Sequence, residues 1–175
     1  MKILIIYFTM TGRTKKMAKA IGSSFTDHEV QYIPFELMVK MSERLKIIGR
    51  FDKGDFKDIE NELNSLSNIE YDLLIIGMPT HGNFPPKAFV QILSKLENLS
   101  NKIVVVFNTA RMTGGKSLDY METKVKEMGA EVIDKRRFKS MAHLGKKDAV
   151  EFGVKISQKI KKKFLVEKNW SIQIY

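Results

Sequence analysis

The chain has 175 residues, enough for one domain with a sizeable core, and its 43% hydrophobic content is that of an ordinary globular protein. It contains no cysteine, which excludes disulfides, thiolate metal sites, cysteine nucleophiles and iron–sulfur clusters held by the chain itself. The formal net charge of +10, from 30 Lys and Arg against 20 Asp and Glu, favours acidic partners or nucleic acid, although we expect most of these cations on solvated helix faces.

Hydrophobic segments in this sequence are short. No apolar stretch approaches the roughly 18 residues that a membrane span needs. The first apolar run is also too short for the core of a signal peptide and lacks a small-residue cleavage site. We therefore expect a cytoplasmic protein without a membrane span.

Five apolar runs alternate with helical patterns along the chain, and each run is typical of a buried parallel strand. The runs are Lys2–Phe8, Glu29–Phe35, Asp72–Gly77, Lys102–Asn108 and Glu131–Phe138. Strict alternation of strand and helix predicts a doubly wound α/β fold, with right-handed crossovers and helices on both faces of a parallel sheet. For five strands we expect the order 2-1-3-4-5, in which the chain builds to one side of strand 1 and then to the other.

Most connections carry one apolar stripe at helical spacing, which predicts one helix each. The stripes comprise Met17, Ala20, Ile21, Ser24 and Phe25; Phe89, Ile92, Leu93 and Leu96; Leu118, Met121, Val125 and Met128; and Ala149, Phe152, Ile156, Ile160 and Phe164. The second stripe follows Pro85 and Pro86, which suit a first helical turn, and the third ends at Gly129, a typical C-terminal cap.

The second crossover is too long for one helix. Asp55–Leu66 carries Phe56, Ile59, Leu63 and Leu66 at helical spacing and is the expected crossover helix. Before it, Leu37–Ile48 repeats Leu37, Met41, Leu45 and Ile48, which predicts an additional helix. We therefore divide the single domain 1–175 into a common fold, an insertion at 37–54 and a C-terminal tail at 166–175. The apolar stripe of the insertion could pack on its own sheet, form a subunit interface or cover a ligand.

The turn after the first strand is rich in hydroxyl groups. Thr9-Met10-Thr11-Gly12-Arg13-Thr14 lies between a predicted strand and a predicted helix, where backbone N–H groups and the positive end of the helix dipole favour a phosphate. The spacing is neither GxxxxGK[ST] nor GxGxxG. Helix capping by the threonines is the alternative interpretation.

Two further polar loops follow strands 3 and 4. They are Gly77-Met78-Pro79-Thr80-His81-Gly82-Asn83-Phe84-Pro85-Pro86 and Asn108-Thr109-Ala110-Arg111-Met112-Thr113-Gly114-Gly115. In the predicted strand order these loops and the threonine-rich turn meet at the topological switch point, where doubly wound sheets bind ligands. The sequence shows no paired carboxylates, nucleophile–base arrangement or metal-ligand cluster, so any chemistry belongs to a cofactor.

At these loops the chain resembles the flavodoxin-like family of small FMN proteins, over nearly its whole length up to about Phe164. Thr9-x-Thr11-Gly12-x-Thr14 is similar to the loop that holds the FMN phosphate, and Gly77-x-Pro79-Thr80-His81-Gly82 is similar to the loop against the isoalloxazine ring. Asn108–Gly115 takes the position of the loop on the other side of the ring, with Arg111 and Met112 where many flavodoxins stack a tyrosine.

The resemblance implies bound FMN and a set of cofactor-binding residues without a catalytic residue or a metal. The set is Thr9, Met10, Thr11, Gly12, Arg13, Thr14, Pro79, Thr80, His81, Gly82, Asn83, Phe84, Asn108, Thr109, Ala110, Arg111, Gly114 and Gly115.

Three functions stay open at this point. The resemblance favours an electron carrier that exchanges electrons with redox partners. The alternative is an FMN-dependent oxidoreductase that takes hydride from NADH or NADPH and reduces a quinone or free flavin. The third is a flavin-free module that binds nucleic acid or an acidic protein. For a carrier we expect an acidic redox protein as partner, for instance an iron–sulfur protein, and for an enzyme a small quinone or nicotinamide substrate. The candidate rim cations are Arg111, Lys87, Arg44, Lys46 and Arg50, and the oligomeric state can be monomer or homodimer.

Overall fold

The computed structural model describes residues 1–66, 69–96, 99–139, 141 and 145–172, with side chains described up to residue 165. Its five strands are β1 (Lys2–Thr9), β2 (Glu29–Glu36), β3 (Leu73–Pro79), β4 (Ile103–Ala110) and β5 (Glu131–Lys139). They pair in parallel in the order β2-β1-β3-β4-β5. The predicted fold class and strand order are therefore confirmed.

Six α-helices connect these strands. They are α1 (Arg13–Gly22), α2 (Met41–Phe51), α3 (Glu60–Leu66), α4 (Lys87–Leu93), α5 (Ser117–Glu127) and α6 (Lys146–Ile172). The predicted crossover helix is shorter than expected, because its first turn is a 3₁₀ turn at Lys57–Ile59 that precedes α3.

The alternation of side chains along the interior strand β1 divides the core into two layers. Leu4, Ile6 and Phe8 face one side of the sheet, where α4 and α5 contribute Phe89 and Met121. Ile3, Ile5 and Tyr7 face the other side, where α1 and α6 pack. β1, β3 and β4 are buried on both faces, which explains their continuous apolar runs, whereas the edge strands β2 and β5 are largely exposed or half-buried.

The insertion helix differs from its prediction in position and in the face that is buried. Leu37 does not begin a helix, because its N–H bonds to the carbonyl oxygen of Thr9 at 2.9 Å and so continues the β1–β2 ladder. The helix begins at Met41 and buries Ile47 and Phe51. Of the predicted apolar stripe, Leu37 is buried and Ile48 packs against the core, whereas Met41 and Leu45 are 63% and 62% exposed.

The last helix also differs from its prediction. It runs to Ile172, so the backbone of residues 166–172, predicted as a tail, is helical, and residues 173–175 lie outside the described residues. Its last buried side chain among those described is Ile160, whereas Phe164 is 43% exposed. Within the described ranges no helix has the length and apolar character that crossing a membrane requires.

Candidate functional site

A cleft of about 500 Å³ opens at the carboxyl ends of β1, β3 and β4. This is the switch point of the sheet, because β1 is followed in sequence by β2 on one side and pairs with β3 on the other. Thirteen residues line the cleft: Met10, Thr11, Arg13, Met41, Arg44, Leu45, Ile48, Pro79, Thr80, His81, Thr109, Ala110 and Arg111. The three predicted loops and one face of α2 therefore share a single cavity.

The first loop presents an uncapped helix N-terminus to this region. Gly12 occupies the N-cap position of α1 with φ 74°, and neither a side-chain cap nor an acidic residue occurs in the first turn. Thr14 lies in that turn, is buried, and shares a 2.9 Å hydrogen bond between its Oγ1 and that of Thr109. The hydroxyl of Thr9 is also buried, but it has no hydrogen-bond partner among the described residues.

These features fit an anionic group better than they fit simple capping. The N-cap residue of α1 is Gly12, which has no side chain that could cap the first turn. An unpaired buried hydroxyl is energetically unfavourable until a hydrogen-bond partner arrives. A phosphate oxygen supplies such a partner and also suits the positive end of the helix dipole.

The second loop makes a tight turn at the mouth of the cleft. His81 and Phe84 exchange two backbone hydrogen bonds of 2.9 and 3.1 Å, and Gly82 between them has φ 58°. Glycine at the first central position with positive φ is typical of a type II′ turn. Phe84 points away from the cleft and packs edge-on against Tyr120 of α5, with the ring centroids 6.1 Å apart.

His81 lies at the edge of the cleft in an environment that disfavours its charged form. Desolvation, followed by the positive charge of Arg44, lowers the pKa of His81 below the ordinary value of 6.5. The side chain lines the rim of the cleft and is exposed to solvent on its other side. At neutral pH this histidine is therefore a neutral hydrogen-bonding group.

The third loop is tied to the other two. Asn108 donates from Nδ2 to Thr80 Oγ1 at 2.6 Å, and the N–H of Thr80 donates to the carbonyl of Thr109 at 2.9 Å. The N–H of Lys116 donates to the carbonyl of Asn83 at 2.8 Å. Together with the Thr14–Thr109 bond, these contacts hold the three loops as one unit.

Gly115 shows how closely the second and third loops approach each other. A side chain at this position would lie 2.5 Å from the Cα atom of Asn83, and the residue has φ 46°. Any other residue would therefore force the two loops apart.

The predicted site residues fall into two groups. Nine line the cleft: Met10, Thr11, Arg13, Pro79, Thr80, His81, Thr109, Ala110 and Arg111. The remaining nine lie behind or beside it within the same loops: Thr9, Gly12, Thr14, Gly82, Asn83, Phe84, Asn108, Gly114 and Gly115. Met41, Leu45 and Ile48 of α2 also line the cleft and were not among the predicted site residues. The helical spacing of these apolar residues was visible in the sequence. Covering a ligand was one of the three interpretations of that apolar stripe, beside packing on the sheet and a subunit interface.

The charge of the cleft is positive. Arg13, Arg44 and Arg111 contribute to its lining, and no Asp or Glu belongs to it among the described residues. Of the other predicted rim cations, Arg50 makes a two-pronged ion pair with Asp58 at 2.7 and 2.9 Å, and Lys87 lies 3.8 Å from Asp52. Lys46 is exposed on α2.

Comparison with known proteins agrees with this geometry. No family model matches the chain. A curated relative described as a probable flavodoxin 2 of Bacillus subtilis (strain 168) is 28% identical over 138 residues, which are 75% of this chain and 77% of that protein.

Solved structures agree as well. A flavodoxin from the domain Archaea superposes with a TM-score of 0.64 at 22% identity, over 92% of this chain and 99% of that one. An oxidised flavodoxin 2 from Bacillus cereus gives 0.60 at 25% identity, over 93% and 99%.

The fold and the cleft define a doubly wound α/β protein with a ligand site at its switch point and an uncapped helix N-terminus beside that site. The matches extend over most of this chain and most of each flavodoxin, so the similarity concerns the whole domain. The chain has a flavodoxin-like fold and is similar to flavodoxins over most of its length.

Proposed function

We propose that this protein binds FMN in the cleft and transfers electrons between redox partners. The observation that carries the proposal is the buried, unpaired hydroxyl of Thr9 beside the uncapped N-terminus of α1. A phosphate at this position would satisfy that hydroxyl and the first-turn N–H groups together. When bound, the isoalloxazine ring of FMN supplies the redox chemistry, which the side chains of the chain itself lack.

The residues of the cleft divide naturally between the two ends of such a cofactor. Thr9, Thr11 and Thr14 offer hydroxyl groups at the phosphate end, and Arg13 lies in the adjoining wall. The loops at Pro79–His81 and Thr109–Arg111 offer apolar and polar surface at the ring end, and Arg111 adds a positive charge there. The neutral state of His81 suits a hydrogen bond to the ring without adding a charge there.

The proposed partner is an acidic redox protein. The net charge of +10 and the exposed Arg111 at the cleft favour it electrostatically, since complementary charge raises the rate of association. Lys46, on the exposed side of α2, adds to the overall charge. Arg50 and Lys87 contribute less, because Asp58 and Asp52 offset their charges. The proposed setting is the cytoplasm. Electron transfer to such a partner should slow as ionic strength rises, because charges beyond about 8–10 Å are screened.

One observation favours a second function, the FMN-dependent reduction of a small substrate. Met41 and Leu45 expose apolar surface over the cleft, where a flat apolar substrate could bind. Steady-state turnover with NADH or NADPH and a quinone separates the two functions. Turnover at rates typical of enzymes, about 1 s⁻¹ or faster, would favour the oxidoreductase.

A ligand titration tests the proposed cofactor. The cofactor-free protein should quench FMN fluorescence in a saturable manner, and riboflavin should bind at least tenfold more weakly because it lacks the phosphate. FAD should also bind more weakly than FMN, because this single domain has one phosphate-binding loop and no site for the second nucleotide half of FAD. Equal affinity for FMN and riboflavin would contradict the proposed phosphate site, and no binding of either would contradict the proposed function.

A further inference from the structure

Helix α2 forms one wall of the cleft with a single face. Met41, Arg44, Leu45 and Ile48 all line the cavity, and their spacing of three or four residues places them side by side along the helix. The adjacent face buries Ile47 and Phe51 in the core. The insertion therefore joins the hydrophobic core to the site.

This wall is fixed at both ends. At its C-terminal end the buried Phe51 ring packs 5.3 Å from that of Phe56, and Arg50 pairs with Asp58. Near its N-terminal end Arg44 donates from Nε to the carbonyl of Leu37 at 3.1 Å and from Nη2 to that of Val39 at 3.0 Å. These contacts distinguish α2 from a loosely attached lid.

The same contacts hold the charge of Arg44 in one place. Its guanidinium is half-buried, it lines the cleft, and its field reaches His81 at the edge of the proposed ring end. Arg111 lines the same cleft but is exposed and has no hydrogen-bond or ion-pair partner among the described residues. A fixed, partly desolvated cation acts on a nearby charge more strongly than a mobile, solvated one.

We propose that α2 is a third wall of the FMN site and that Arg44 stabilises reduced FMN, making it the main determinant of the reduction potential among the cleft arginines. The inference rests on the proposed function. FMN takes up two electrons from a redox protein and one proton from solvent, and the product carries one more negative charge on its ring. A cation held near the ring binds that product more tightly than it binds oxidised FMN, because only the product has the added charge.

The test compares four full-length variants loaded with FMN: Arg44→Gln, Arg44→Lys, Arg111→Gln and Lys46→Gln. Arg44→Gln should weaken binding of reduced relative to oxidised FMN about tenfold, which lowers the two-electron midpoint potential by about 30 mV. Arg44→Lys keeps the charge and should restore most of that difference. Lys46→Gln removes a charge from the exposed side of the same helix and should change the ratio less than twofold, and Arg111→Gln should change it less than Arg44→Gln does.

The possible results separate this inference from the proposed function. If FMN-loaded Arg44→Gln has the same midpoint potential as the wild type, the proposed role of Arg44 is overturned but the proposed function is not. A larger shift for Arg111→Gln than for Arg44→Gln would also overturn that role. A wild-type protein that takes up no FMN would overturn both statements. If Arg44→Gln folds poorly, Arg44→Lys against Arg44→Met at reduced temperature provides the same comparison of charge.

Discussion

The most informative single change is Thr9→Val, because it should affect the free protein and the complex in opposite directions. Valine is nearly isosteric with threonine and suits the end of a strand. In the free protein the Thr9 hydroxyl is buried and unpaired among the described residues, and such a group costs about 1–3 kcal/mol. Replacing it by a methyl group should therefore raise the free energy of unfolding by about 1 kcal/mol, or the melting temperature by about 2–4 °C for a chain of this size.

In the complex the same substitution removes a hydrogen bond to a charged phosphate oxygen. Bonds of this kind contribute about 1.5–3 kcal/mol, so FMN affinity should fall by roughly 10- to 150-fold. Riboflavin affinity should stay unchanged, since riboflavin has no phosphate. Urea unfolding followed by circular dichroism measures the first effect, and fluorescence titration with both flavins measures the second.

Thr14→Val is the matched control. Thr14 already bonds to Thr109 at 2.9 Å, and its loss would leave the buried Thr109 hydroxyl without that partner. This variant should therefore destabilise the free protein by about 1–3 kcal/mol. If Thr9→Val destabilises the free protein as much as Thr14→Val does, the Thr9 hydroxyl has a hydrogen-bond partner in the free protein. An equal loss of FMN and riboflavin affinity would show that Thr9 does not contact the phosphate.

Three further changes test other parts of the structure. Phe51→Ala should destabilise the fold by about 3–5 kcal/mol in urea unfolding, because it leaves a cavity under α2, and a loss below 1 kcal/mol would contradict the buried position of Phe51. Arg44→Gln should raise the pKa of His81 toward 6.5, because it removes a nearby positive charge, and an unchanged NMR titration would place Arg44 away from His81. Asp134→Asn should cost about 1–2 kcal/mol of unfolding free energy at pH 7. Burial raises the pKa of Asp134, but hydrogen bonds from Lys159 and Lys155 outweigh burial, so the net pKa is lowered. The difference in stability from wild type should therefore vanish as the pH falls below the ordinary value of 3.8 and through the folded pKa.

The strands and the three loops were predictable from the sequence for a physical reason. β1, β3 and β4 are buried on both faces, so their apolar runs are unbroken and easy to detect. Once the strand order is set, the ends of β1, β3 and β4 must meet, which brings Thr11, Thr80 and Thr109 to one cleft without knowledge of any side-chain contact.

The orientation of α2 was not predictable in the same way. Its sequence carries two apolar faces, one with Met41 and Leu45 and the other with Ile47 and Phe51, and helical periodicity alone does not rank them. Packing of Phe51 against the core decides which face is buried. The start of the helix was also misplaced, because the backbone bond from Leu37 to Thr9 depends on the register of β2 and not on local propensity.

The interior position of β1, between β2 and β3, has a consequence for how the protein behaves when it loses its structure. Ile3–Phe8 is an uncharged run of β-branched and aromatic residues without proline or glycine, and β2 and β3 cover both of its edges. Once those neighbours detach, the run meets the description of a segment that adds to identical copies in cross-β assemblies. We therefore expect heating to end in irreversible aggregation, so that a thermal scan measures a rate of opening, whereas urea at low protein concentration keeps this strand soluble and returns an equilibrium free energy.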